Sequence, residues 1–181
     1  MVKIWSTTHT FEHPWHVVTM SNFRKYPNPE SKQVVAVDHI SRQSDPKTGA
    51  VSQSRLMTLQ AAVPSFITTI FSVPKYGFGY EESFVDPSQR EYVIRATSLS
   101  FSNIFQVQET CRYTQHPDNP EWAVFHQEFR VSGKVFGLKS AIEESTISAV
   151  QRNAQKGREV LERLCQQVKA STPVSQPGDQ I

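Results

Sequence analysis

Residues 137–169 carry an uninterrupted helical pattern with no proline, close to the end of a 181-residue chain. A helix of about 33 residues would be about 50 Å long at ~1.5 Å per residue, and whatever the rest of the chain builds must cover it. At roughly 100° per residue, Leu138, Ile142, Ala149, Val150, Val160, Leu161 and Leu164 share one half of this helix. Ser140, Glu144, Gln151, Gln155, Arg158, Glu162 and Lys169 take the other half. The apolar half is broken in three places: Asn153 falls near its middle, Lys156 at its margin and Gly157 within it. Glycine in a helix interior costs about 1 kcal/mol relative to alanine, so it implies the close approach of another group. A buried amide or ammonium needs partners to offset its desolvation. Two readings stand side by side. In one, Asn153 bonds a sheet carbonyl, Lys156 snorkels to water and Gly157 packs against a bulky strand residue. In the other, the helix borders a cavity with a polar, positive end.

The remainder of the chain reads mainly as strands. Period-two patterns occupy residues 2–11, 34–42, 51–59, 76–85, 91–101, 105–113 and 122–132. Turn signals DPKTGA, DPSQ, SN and HPDNPE separate neighbouring strands, which predicts hairpins and antiparallel pairing. His13-Pro14 opens a helix with proline at its first position, and Tyr26-Pro27-Asn28-Pro29 stops it. A short apolar helix follows over residues 64–71. The expected architecture is α+β: a seven-stranded curved antiparallel sheet gripping the long C-terminal helix. Such a sheet does not close tightly along the whole helix, which leaves an internal cavity of the kind that holds ligands. Residues 1–170 are expected to form one domain, with residues 171–181 a disordered polar tail.

Composition narrows the function classes. Lys and Arg number 19 against 17 Asp and Glu, a balance too even to predict nucleic-acid binding. Cys111 and Cys165 form no CxxC pair, which speaks against a zinc site or disulfide framework. The uncharged run over residues 56–74 has the length of a membrane span, but Gln60 and two prolines break it. The N-terminal residues show neither a signal-peptide apolar block nor an Arg-rich presequence. Motifs for acyl transfer, zinc hydrolysis and nucleotide chemistry are absent. His13 and His16, spaced i, i+3, read as surface or core histidines, and Glu143-Glu144 as carboxylates favoured near a helix N-terminus. No cofactor, metal site or catalytic residue is expected.

Candidate ligand-binding residues are therefore cationic or amide groups near the helix: Lys25, Arg55, Asn153 and Lys156. Lys25 reads equally as a solvated helix-terminal lysine, and Arg55 as an exposed residue on the outer sheet face. Val63, Pro64, Phe66, Ile67, Ile70 and Phe71 form either a packed connector or a mobile apolar lid that also meets a membrane interface.

The stretches MVKIWSTTHTFEHPWHVV, RKYPNP, YEESFVDPSQREY, ATSLSFSNIFQVQE and STISAVQRNAQKGRE, in this order and spacing, resemble the PRELI-like family, most closely its Slowmo branch. The resemblance runs from Met1 to about Lys169. It implies a phospholipid-transfer protein of the mitochondrial intermembrane space, not an enzyme, that works as a heterodimer with a small helical partner carrying twin CX9C motifs. It also implies transient contact with membrane surfaces, a basic pocket position at Lys25, and an asparagine and lysine on the long helix at Asn153 and Lys156. The phosphatidic-acid-transferring branch has further lysines where this chain has Leu59, Ala62 and Ala149. That weaker positive end speaks against phosphatidic acid, and the resemblance to the Slowmo branch implies phosphatidylserine, with phosphatidic acid transfer or a non-transferring lipid-binding scaffold as alternatives.

Overall fold

A computed structural model describes residues 2–60 and 65–171. Seven strands form a single antiparallel sheet: β1 (Lys3–Phe11), β2 (Val34–Ser44), β3 (Val51–Gln60), β4 (Tyr76–Asp86), β5 (Glu91–Ser98), β6 (Phe105–Gln115) and β7 (Ala123–Gly133). Their order is β1-β7-β6-β5-β4-β3-β2. The meander from β2 to β7 follows from the short turns, whereas β1 joins the far edge beside β7. Helix α1 (Trp15–Phe23) makes that crossing, leaving β1 and β2 as opposite edges. Burial alternates residue by residue along β1, β4 and β7, which gives one covered and one wet face.

The long helix is α3 (Lys139–Ser171), and α2 (Ser65–Ile70) is a short helix between β3 and β4. α3 rests on α1, β7 and β1, so it covers one side of the sheet more closely than the other. Its covered stripe runs through Ile142, Thr146, Ala154, Gly157, Leu161, Cys165 and Val168, the i+3/i+4 spacing of an amphipathic helix. At its start, Gly133 lets the end of β7 pass close beneath. A Cβ there would lie 2.8 Å from the Lys139 carbonyl oxygen, and the Gly133 N–H instead donates to buried Glu143 at 3.1 Å. Glu144 pairs with Lys3 at 2.8 Å, so both carboxylates hold structure together.

Two apolar clusters sit at opposite ends of the covered face. One joins Phe11, Trp15, Tyr92, Tyr113, Phe125, Leu161 and Cys165. Its aromatic stack places Tyr113 and Phe125 centroids 4.5 Å apart and Tyr92 and Tyr113 centroids 5.6 Å apart. The Trp15 indole donates to the Tyr113 carbonyl at 3.1 Å, pinning α1 to β6. The second cluster joins Ile67 of α2 to Ile104, Phe105 and Ile142, with Phe66, Phe71, Val135 and Leu138 packed against it. Cys111 and Cys165 are both buried free thiols.

Several expected boundaries shift. Pro14 is the N-cap of α1 rather than its first residue; with ψ at 147° its backbone is extended, and its carbonyl accepts from Val17 and Val18. β5 ends at Ser98, before the expected 101, because Phe101 adopts a φ of 61° and turns the chain. Val63 and Pro64 of the expected lid lie outside the described residues, as do residues 172–181 of the expected tail.

Candidate functional site

Between the two clusters, sheet and α3 enclose a cavity of about 340 Å³, within the range of ligand pockets. Met57, Leu59, Ile94, Val107 and Phe129 supply apolar wall, and Ala149, Val150 and Ala154 face them from α3. Into this wall project charged and amide groups from six elements, α1, β3, β4, β6, β7 and α3. The sheet members among them occupy the apolar phase of their strands. Arg55 shares a face with Val51, Met57 and Leu59, Glu81 with Val85, Glu109 with Val107 and Cys111, and Gln127 with Phe125 and Phe129.

Lys25 follows the end of α1 and lies across α3 at Gly157. A Cβ on Gly157 would stand 3.3 Å from the Lys25 Nζ, so the glycine in the helix accommodates an ammonium rather than a bulky strand side chain. Burial by itself lowers the Lys25 pKa, but Tyr26, Cys111 and Glu109 outweigh it and the net direction is upward, which keeps the group protonated. Nζ also sits 5.3 Å from the Tyr26 ring centroid.

Arg55 is only 4% exposed and is committed to Glu81. Its Nε donates to Glu81 Oε1 at 2.9 Å, and a terminal nitrogen donates to the same oxygen. Burial raises the Glu81 pKa, with Arg55 opposing it, and the net direction is upward. The outer-face reading of Arg55 does not hold, because β3 and β4 pair Arg55 with Glu81 on the covered face. On β6, Glu109 Oε1 accepts from Gln127 Nε2 at 2.6 Å and from the Cys111 thiol at 3.0 Å. Burial first, and then Glu109, push the Cys111 thiol well up, so it stays a neutral donor.

The cavity thus gathers Lys25, Arg55 and Asn153 of the expected site residues. Asn153 is exposed along the helix while lining the opening; Lys156 is exposed and stands outside the lining. Of the expected lid, Ile67 is fully buried in the second cluster, Phe66 and Phe71 are packed against it, and Ile70 is exposed. Sequence reasoning passed over Glu81, Glu109, Gln127, Thr146 and Arg158. The first three were visible as polar residues in the apolar phase of strands. Arg158 was assigned to the outer half of the helix, but its long side chain reaches back to the cavity. Three lining atoms, Gln127 Oε1, Thr146 Oγ1 and Arg158 Nη1, are buried without a hydrogen-bond partner among the described residues.

A long helix gripped by a curved antiparallel sheet over a cavity with a polar cluster defines a helix-grip fold. Solved structures share this fold at low identity. An aromatase/cyclase from Streptomyces sp. R1128 matches with a TM-score of 0.62 at 12% identity, over 92% of this chain and 95% of its own. The protein TTHA0849 from Thermus thermophilus matches with a TM-score of 0.62 at 12% identity, over 94% and 100%. Sequence relatives are closer. A protein slowmo homolog of Dictyostelium discoideum is 36% identical over 85% of this chain and 67% of its own length. The mitochondrial protein UPS2 of Saccharomyces cerevisiae is 29% identical over 87% and 70%. The model of the PRELI-like family matches residues 16–171, and the chain belongs to that family.

Proposed function

We propose that this protein carries one anionic phospholipid at a time between the mitochondrial outer and inner membranes, with phosphatidylserine as its cargo and without catalysing a reaction. The observation that carries the reading is the set of partnerless buried polar atoms in a cavity whose wall is mainly apolar and carries a charged cluster. A buried polar atom left unpaired costs about 1–3 kcal/mol, so these groups favour a ligand with a polar head and apolar chains. Lys25 and Arg158 would meet the phosphate and Asn153 the head group near the opening. Lys156 stands one turn along from Asn153 and would meet the phosphate during entry.

A cavity of this volume takes a head group and the first chain segments; two full acyl chains require the α2 side to give way. That same end bears an apolar tip. Phe136 is fully exposed, Leu99 and Ile70 are exposed, and Lys75 and Lys134 stand exposed in the flanking sequence, where residues 65–80, 99–108 and 133–142 hold no carboxylate. Apolar side chains flanked by cations suit an anionic membrane surface. The mitochondrial location is supported by the UPS2 relative, which is named as mitochondrial, and the small twin CX9C partner is what the sequence resemblance implies. The test is native mass spectrometry of the chain purified with that partner, followed by fluorescent-lipid transfer between liposomes of different head groups. Stoichiometric diacyl phospholipid and head-group-dependent transfer are expected. An empty cavity with no transfer would leave only a scaffold.

A further inference from the structure

The polar lining divides into donors and acceptors. Lys25 and Arg158 can only donate. Facing them from β6 and β7 is an acceptor pair. The Glu109 carboxylate receives both of its hydrogen bonds at Oε1, and among the described residues no donor reaches Oε2. Gln127, 6% exposed, must turn its amide N–H toward that carboxylate, because an ionised carboxylate accepts only; this leaves its Oε1 buried and unpartnered. Lys25 does not neutralise the pair by contact: no ion pair of 4.0 Å or less joins it to Glu109, although the two charges sense each other. Glu81, the other carboxylate in the cavity, is already held by Arg55.

We propose that Glu109 and Gln127 form a subsite for the primary ammonium of an aminophospholipid head group. The ammonium donates to Glu109 Oε2 and Gln127 Oε1 while the phosphate lies toward Lys25 and Arg158. Three N–H donors on one small cation match two adjacent free acceptors, and a head group carrying both charges spans the gap between Lys25 and Glu109. The pair would then select amine-bearing anionic lipids over anionic lipids that have only hydroxyls, for which Gln127 Oε1 and the Glu109 charge stay uncompensated. This assignment rests on the lipid-carrier reading.

The test uses the full chain with its partner and phosphatidylcholine vesicles doped with phosphatidylserine, N-acetylated phosphatidylserine or phosphatidylglycerol. The wild type should extract phosphatidylserine about tenfold better than its N-acetylated form, equivalent to about 1.4 kcal/mol. Acetylation removes the cation from the ligand, so this arm needs no variant. Glu109→Gln should lower phosphatidylserine extraction by a similar factor and leave phosphatidylglycerol unchanged, while Lys25→Met lowers both. Equal extraction of native and N-acetylated phosphatidylserine would overturn the subsite. So would a Glu109→Gln loss spread evenly over both head groups. A wild type that extracts none of the three lipids would instead refute the carrier reading itself.

Discussion

Gly157 and Lys25 form one device built from residues 132 positions apart. The backbone of α3 at Gly157 leaves the space in which the Lys25 ammonium lies. Gly157→Ala should therefore separate stability from function. It gains up to about 1 kcal/mol of helix propensity, but its Cβ would stand 3.3 Å from Nζ and the flexible lysine must yield. A higher melting temperature with slower lipid transfer is expected from thermal denaturation and liposome assays; unchanged transfer would show that the exact seat of the ammonium is immaterial. The two candidate lysines also separate. Lys25→Glu reverses a charge inside the cavity and should cut transfer about tenfold or more. Lys156→Glu alters an exposed group outside the lining, and its loss should be clearly smaller. Equal losses would place Lys156 in contact with bound lipid. Arg55 and Asn153 were legible as site candidates because a cation or an amide stands out in a strand or apolar helix pattern, and Lys25 because of its place where the first helix stops. Arg158 was not, since helical angle assigns a Cα to a face but does not bound where a long side chain ends.

At the scale of elements, α2 is both anchored and exposed. Ile67 holds it to the second cluster, whereas Ile70 and Phe136 point outward at the same end of the molecule. Replacing Ile67 with Ala should destabilise the protein by about 2–5 kcal/mol. Ile70→Asp with Phe136→Asp should leave folding and partner binding unchanged and reduce extraction from anionic liposomes about tenfold or more, since burying each such side chain in an interface is worth up to about 1.5–3 kcal/mol. Circular dichroism, pull-down and liposome sedimentation would check this. Extraction at the wild-type rate would reduce this end to a plain connector. The apolar spacing over residues 66–71 made the helix visible in the sequence; that Ile67 alone of its apolar face is fully buried depends on Ile104, Phe105 and Ile142, which arrive from β6 and α3.

Across the whole molecule, the contact of β1 with α3 carries a pH dependence. The His9 pKa is lowered, first by burial and then by Arg158, with Glu162 opposing. A depressed histidine pKa means the unfolded chain binds the proton more readily, so this contribution to stability is present above about 6.5 and is lost as pH falls through the folded value. The melting temperature should drop from pH 7.5 to pH 5, and His9→Gln should flatten the slope. A slope unchanged by His9→Gln would assign the acid sensitivity to other groups.

The sequence by itself determined the inventory: seven alternating strands, two short helices and one long one, with boundaries displaced by a few residues. These properties are periodic and local, set by side chains two, three or four positions apart. It also marked Arg55, Glu81, Glu109 and Gln127 as polar residues in apolar phases, although only Arg55 was taken up. Tertiary structure decided the rest. Period two tells which residues share a strand face but not which face is covered; the placement of α3 over the sheet settled that. Pairing of β1 with β7, the seating of Lys25 on Gly157 and the meeting of Glu109 with Gln127 join segments that are distant in the chain. Their proximity is fixed by sheet order and by how one long helix lies across a curved surface, and no short-range pattern encodes either.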